Sequence, residues 1–416
     1  MVLKMRKMKD SGIEWIGEIP EGWEVVPIKR LCTMQAGKNL TSEQIAPEGT
    51  YPVYGGNGIR GFFSDYNCDG QFLTVGRQGA LCGNVHKING KVWATEHAVI
   101  TTPSSYTILD FLYYLLIGMD LNQYVSSTAA QPGLAVGTLL NLKTCYPCST
   151  LEQTQISNYL NAKCSEIDVM LTKTRSSIEE YKKLKQAVIT QAVTKGVRGE
   201  RVMKDSGVEC IGKIPTTYSI CKLKYLLKNP LKYGANESGI PYSDSLPRYI
   251  RITDITPDGN LKYTGKLSLR EESAKDYILE DGDILFARSG STVGKTFIYY
   301  QSYGRSAYAG YLIKASLNNK VSPKFVYYYT CSSLYEIWKN SIFIQSTIQN
   351  IGADRYANLP VPVPKTLQEQ EEIADYLDAK CAEIDGLIAK KEQLAKELES
   401  YKKSLIYEVV TGKREV

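Results

Sequence analysis

The stretch Met8–Pro20, "MKDSGIEWIGEIP", returns almost unchanged at Met203–Pro215 as "MKDSGVECIGKIP". A repeat of this quality decides the architecture before any single motif is weighed. From Met8 to Met203 the displacement is 195 residues. Further along, "ISNYLNAKCSEID" from Ile156 matches "IADYLDAKCAEID" from Ile373 at a displacement of 217, and this register runs from Tyr159 over Tyr376 to Thr194 over Thr411. Between these two matches lies a fainter one, "RQGALCG" from Arg77 against "RSGSTVG" from Arg288, both R-x-G-x-x-x-G at a displacement of 211. Each half is therefore a box, a variable middle and a repeated segment, and the second middle is longer by 22 residues.

The repeated segments read as helices. Leu160, Cys164, Ile167, Leu171, Thr174, Ile178 and Tyr181 recur at alternating steps of four and three, the spacing of a coiled-coil seam. The second copy places Leu377, Cys381, Ile384, Ile388, Lys391, Ala395 and Leu398 in the same rhythm. Neither segment contains proline, and "LPVPVPKT" from Leu359 supplies a stiff entry to the second. A helix of roughly 40 residues is about 60 Å long. Such a stripe alone would pack on its own domain; two equivalent copies predict helices that bury their seams against each other.

The middles carry glycine-rich turns, Tyr and Phe clusters and short β-like runs such as "QFLTVG" from Gln71 and "GDILFAR" from Gly282. The predicted fold is α/β (mixed α+β): two globular domains in tandem, separated by two long repeated α-helices that form an antiparallel coiled coil. The first helix leads into the second box, and the first box would follow the second helix if the ends met, so a pseudo-two-fold circular arrangement is expected. Expected boundaries are 1–150 (with the box at 8–20) and 201–365 (with the box at 203–215) for the domains, and 151–200 and 366–416 for the helices.

Composition agrees with a folded chain. With 416 residues, 43% hydrophobic and 23% charged, the protein exceeds one core and is too apolar for disorder. The longest apolar run, "FLYYLLIGM" from Phe111, is far short of a membrane span, and "MVLKMRKMKD" lacks the apolar core of a signal peptide, so no membrane partner and a cytoplasmic location are expected. Ten cysteines in no secreted framework are expected to be reduced thiols. The net charge of +6 permits a polyanionic partner without requiring one.

Catalytic signatures are weak. "GSTVGKT" from Gly290 is one residue short of a phosphate-binding P-loop, and its first-half counterpart has no lysine, so its glycines are expected to shape a turn. "CYPC" at Cys145–Cys148 has zinc or redox spacing, but its counterparts are Pro362 and Lys365, and the chain has only His86 and His97. The Glu96–His97 pair lacks a neighbouring nucleophile in sequence. Neither an [ND]-P-P-[YF] methyltransferase motif nor a nuclease cluster is present. No catalytic residue, metal site or cofactor is expected in this chain.

The layout resembles the specificity (S) subunit of type I restriction-modification systems. The likeness is carried by the paired "MKDSG...IG.IP" boxes and by the helix openings "LEQTQISNYLNAKCSEID" from Leu151 and "LQEQEEIADYLDAKCAEID" from Leu367, and it covers essentially the whole chain. It implies two target recognition domains, each reading half of an asymmetric, interrupted double-stranded DNA target, with the coiled coil setting the spacer. It also implies two adenine methyltransferase (M) subunits using S-adenosylmethionine. Two restriction (R) subunits using ATP and Mg are left open as further partners.

Arg suits guanine edges, Asn and Gln suit adenine, and Lys suits phosphate. On that basis the DNA-contact candidates are Lys38, Asn57, Arg60, Arg77 and Gln78 in the first domain and Tyr242, Arg248, Arg251, Arg288, Ser289 and Lys295 in the second. Two other classes compete: a coiled-coil protein-interaction scaffold without DNA specificity, and an ATP-using enzyme built on "GSTVGKT". Salt-dependent DNA binding separates the first from the leading reading, and nucleotide binding lost in Lys295→Ala would support the second.

Overall fold

The computed structural model describes residues 6–79, 82–125, 133–256, 259–290, 292–344 and 350–416. They fall into two compact units, one comprising the chain up to Arg175 with Glu392–Val416, the other Ser176–Lys391. Both long helices are thus divided between the units.

The elements of unit 1 are β1 (Met8–Asp10), β2 (Glu18–Pro20), β3 (Trp23–Pro27), β4 (Cys32–Ala36), β5 (Tyr51–Gly55), β6 (Gly58–Phe63), β7 (Gln71–Gly76), β8 (Val85–Asn89), β9 (Trp93–Ala94), β10 (Ala98–Pro103), α1 (Leu109–Gly118), α2 (Val136–Asn141), β11 (Lys143–Pro147) and the first part of α3 (Thr150–Lys195). The box closes as the antiparallel ribbon β1–β2, and β3 pairs with β11. The variable middle holds an antiparallel sheet in the order β4-β10-β7-β8 and a second sheet, β6-β5-β9, in which β5 and β9 run parallel.

Unit 2 repeats the plan with β12 (Met203–Asp205), β13 (Lys213–Pro215), β14 (Tyr218–Lys222), β15 (Lys232–Tyr233), β16 (Ile240–Pro241), β17 (Arg248–Ile250), β18 (Leu267–Ser268), α4 (Glu271–Ala274), β19 (Ile284–Ala287), β20 (Thr296–Ile298), β21 (Ser306–Tyr308), β22 (Leu312–Ala315), α5 (Pro323–Thr330), α6 (Ser333–Ile344), α7 (Ala353–Ala357), β23 (Pro360–Pro364) and α8 (Leu367–Val410). Its box is the ribbon β12–β13, β14 pairs with β23, and the main sheet β15-β22-β19-β20 has the strand order of unit 1. The second sheet, β16-β18-β17-β21, keeps a parallel pair in β17 and β21 and gains one strand, β16, within the longer middle.

The helices start alike. The Ser149 and Thr366 hydroxyls accept the backbone N–H of Glu152 and Glu369, each at 3.4 Å, as N-caps. One turn in, a buried glutamine ties each helix to its domain. The Gln153 amide donates to Pro147 O at 3.0 Å and Tyr106 O at 3.2 Å and accepts Ile108 N–H at 2.8 Å. Gln370 likewise donates to Pro364 O at 3.1 Å and Lys320 O at 3.3 Å and accepts Ser322 N–H at 2.7 Å. Glu152 is bound by Arg6 and by the Trp23 indole N–H, and Glu369 by Arg201 and the Tyr218 hydroxyl.

Within unit 1 the two helix segments run antiparallel: Asp168 pairs with Lys402 at 2.7 Å, and further along α3 Arg175 pairs with Glu399, which precedes Lys402 on α8, at 2.5 Å. Within unit 2, Lys185 pairs with Asp385 at 2.6 Å and Arg198 with Glu372 at 2.6 Å. The Asp168–Lys402 and Asp385–Lys185 bridges are one bridge repeated by the internal displacement. These pairs are partly exposed and screened by water, so they contribute little. The apolar seam matters more, since each fully buried Leu or Ile contributes about 2 kcal/mol. Leu160, Cys164, Ile167, Leu171 and Ile178 are buried on α3, and Leu377, Cys381 and Ile384 on α8, whereas Tyr181, Ile388, Ala395 and Leu398 are half-buried.

Each core also contains a box and the end of a helix. Ile16, Ile19 and Trp23 cluster with Leu405, Ile406, Val409 and Val410; Ile211, Ile214 and Tyr218 cluster with Ile189, Ala192 and Val193. The box of unit 1 packs on the end of α8 as the box of unit 2 packs on the end of α3.

Candidate nucleic-acid interface

The R-x-G-x-x-x-G segments are the hairpin loops of the two main sheets. In unit 1, Gly76 N–H donates to Asn84 O at 2.9 Å, Gly83 N–H to Gly76 O at 2.8 Å and Arg77 N–H to His97 O at 3.0 Å. In unit 2 the corresponding bonds run from Ala287 to Lys295 at 2.8 Å, Gly294 to Ala287 at 2.9 Å and Arg288 to Tyr311 at 3.0 Å. Gly79 and Gly290 adopt φ of 87° and 81°, which glycine accepts without strain. "GSTVGKT" thus joins two antiparallel strands, whereas a P-loop joins a strand to a helix.

A bend before the next strand borders each loop. Lys38 N–H donates to Ala94 O at 2.9 Å and Thr95 N–H to Tyr54 O at 2.9 Å; Ala235 N–H donates to Tyr308 O at 2.9 Å and Ala309 N–H to Ile250 O at 3.0 Å. These bonds make Lys38 equivalent to Ala235, His97 to Tyr311 and Gly55 to Arg251.

Unit 1 brings its five candidates to one loop cluster. Gly56 crosses Gly76 so closely that a Cβ there would lie 1.8 Å from Gly56 O, which sets Asn57 beside Arg77 and Gln78. Asn57 accepts a hydrogen bond from Asn84 at 2.8 Å. The Arg60 side chain lies across Gly55, the position that Arg251 fills in unit 2. Lys38, Asn57 and Arg60 are exposed; Arg77 and Gln78 are half-buried.

Unit 2 divides its six. Arg288 and Ser289 are half-buried at the loop, Lys295 is exposed at its end, and the Arg288 guanidinium sits 5.0 Å from the Tyr233 ring centre. Arg251 makes a two-pronged bond to Asp254, at 2.7 and 3.0 Å, which holds its charge firmly. Arg248 is buried in β17 and donates to Lys262 O at 2.6 Å, a brace within the second sheet. Tyr242 is exposed, hydrogen-bonded to Asp244 at 2.8 Å, with Lys266 5.1 Å from its ring centre.

Polar atoms without partners concentrate at these clusters. Among the described residues, Arg77 Nε, Thr95 Oγ1 and Glu96 Oε2 at the loop cluster of unit 1 and Arg288 Nε at that of unit 2 are buried and unbonded; the other such atoms are Thr74 Oγ1 and His86 Nε2 in the adjoining strands β7 and β8, Arg248 Nε in β17 and Thr144 Oγ1 in β11. Native interiors leave few such atoms, so their clustering marks a surface shaped for something other than self-packing. Burial holds the His86 imidazole below its usual range. Burial also raises the Cys82 thiol, opposed by a backbone hydrogen bond and by the charge of Arg77. His97 and Glu96, paired at 3.1 Å, belong to this cluster although sequence reasoning set them aside. The signal that would have found them is the alignment of "ATEHAV" with "YAGYLI", which the strands β10 and β22 make plain.

Cys145 is buried and Cys148 exposed, and no group of three or more metal-ligating side chains occurs among the described residues. Each unit also has a cleft of about 670 Å³ beside its helix segments. Tyr113, Tyr114, Cys164, Asp168 and Lys402 line one; the equivalent Tyr327, Tyr328, Cys381, Asp385 and Lys185 line the other.

The family model described as "Type I restriction modification DNA specificity domain" matches residues 20–180 and 245–399. The chain belongs to that family. The chain is 23% identical to the type I restriction enzyme MjaVIII specificity subunit of Methanocaldococcus jannaschii over 99% of its own length and 98% of the relative's. It is 44% identical to the EcoprrI specificity subunit of Escherichia coli, over 28% of this chain and 30% of that one. A solved chain from work on complex assembly and conformational transition of the type I R-M system superposes with a TM-score of 0.70, covering 95% of this chain and 99% of that chain at 14% identity, so the fold is shared. No helix among the described residues is long and apolar enough to cross a membrane.

Proposed function

We propose that this chain is the noncatalytic sequence-reading subunit of a type I restriction-modification complex. Each domain reads one half of an asymmetric bipartite DNA target, and the helix pair sets the spacer and docks two adenine methyltransferase (M) subunits. Methyl transfer from S-adenosylmethionine belongs to those partners, and ATP- and Mg-dependent cleavage to restriction (R) subunits where they join.

One observation carries the reading: the two loop clusters share a backbone frame but present unlike side chains, Lys38 against Ala235, Gln78 against Ser289 and His97 against Tyr311. Equal frames place the two surfaces alike on a duplex, and unlike side chains read different bases. The twin clefts support two copies of one partner, because equivalent residues line both.

Methylome sequencing of cells carrying the chain and its cognate M subunit should reveal methyladenine in a split, asymmetric motif. A continuous motif, or none, would overturn the proposal. A complex that ignores DNA at every salt concentration would leave the protein-interaction scaffold as the better reading.

A further inference from the structure

The two loop clusters differ at nearly every side chain except one. Arg77 and Arg288 occupy the same position in the same hairpin, each with its backbone N–H bonded to the neighbouring bend and each with Nε buried and without a partner. Three other arginines of the middles are held within their own domain: Arg251 by Asp254, Arg305 by Glu271 and Arg248 by Lys262 O. Neither the Arg77 nor the Arg288 guanidinium has a hydrogen-bonding or carboxylate partner among the described residues, and the contact of Arg288 with Tyr233 leaves its charge uncompensated.

A residue held constant while its neighbours change cannot be what distinguishes two half-sites. It answers to what the half-sites have in common, and the constant part of any duplex is its sugar-phosphate backbone. The surroundings suit that ligand. Gly79 and Gly290 have open space where a side chain would be, so the loop leaves room for a backbone rail to come close. The buried Nε fixes the root of each side chain and leaves the terminal nitrogens to meet the ligand, with the full charge of a guanidinium.

We propose that Arg77 and Arg288 form a matched pair of phosphate clamps, one per domain, which set the register of each domain on the duplex while the unlike neighbours read bases. The proposal rests on the DNA-reading function above.

The test measures DNA affinity of the complete complex with M subunits between about 50 and 200 mM salt, together with its methylation motif. Arg77→Gln and Arg288→Gln should each make the slope of log K against log [salt] shallower by about 0.9, and the double variant by about 1.8, with the motif unchanged. Arg77→Lys and Arg288→Lys, which keep the charge and demand least of the fold, should retain the wild-type slope and motif. An unchanged slope in the Gln variants would overturn the clamp. So would loss of one base from the motif in a Lys variant, which would mean a two-pronged guanine contact. Failure of the wild-type complex to select any site would instead sink the function itself, so the two failures are distinguishable.

Discussion

Unit 1 and unit 2 repeat each other's joints and differ across their loop clusters. The caps at Ser149 and Thr366, the buried Gln153 and Gln370 and the bridges Asp168–Lys402 and Asp385–Lys185 are the same interactions made twice. The loop clusters keep only their backbone bonds and one arginine each. Joints must satisfy packing and buried hydrogen bonds, which tolerate little change. A surface facing a ligand answers to that ligand, and two different ligands draw the copies apart.

The strongest challenge to this equivalence is to cut the same seam twice. Leu160 and Leu377 are both fully buried and related by the repeat, so Leu160→Ala and Leu377→Ala should each cost about 3 kcal/mol, and by similar amounts. Urea unfolding of each variant measures this, and a severalfold inequality would mean that the two seams are not the same structure.

A smaller effect should expose a difference within the joints. The Arg201–Glu369 pair has side-chain exposures of 16% and 8%, against 34% and 26% for Arg6–Glu152. Glu369→Gln should therefore cost about 2 kcal/mol, and Glu152→Gln less than about 1 kcal/mol, because the better-buried guanidinium loses more when its partner is neutralised. Equal losses would show that the extra burial has no energetic weight.

The smallest effect concerns pH. His86 lies in unit 1, and unit 2 has no histidine. Burial holds this imidazole below its ordinary value, so the native state binds fewer protons than the unfolded chain. Its contribution is present above the unfolded value of 6.5 and is lost as pH falls through the lowered native value. Melting followed from about pH 7 to about pH 5 should show unit 1 losing stability, and His86→Asn should flatten that dependence.

The boxes and long helices were legible in the sequence because their constraints are local: a repeated box, a four-and-three seam, an uninterrupted run without proline. The runs at Gln71 and Gly282 were legible as strands for the same reason, and the R-x-G-x-x-x-G echo pointed to the loops. The bend carrying Glu96 and His97 was not, because its counterpart at Gly310 and Tyr311 shares backbone bonds and no side-chain chemistry. Nor could the sequence show that Arg248 is bound inside a sheet while Arg288 is not, since both are arginines beside short β runs. Burial and partners, which separate them, are properties of tertiary packing.

The packing of Ile16, Ile19 and Trp23 against Leu405–Val410 also has a consequence for how the protein is made. Synthesis delivers all of unit 2 between the two parts of unit 1. At about 5–20 residues per second, the nascent first domain waits roughly 10 to 50 s after Arg175 emerges before the segment that completes its interior arrives. During that interval its apolar face is open to chaperones or to a wrong neighbour, so the first unit can close only after the whole of the second has been made.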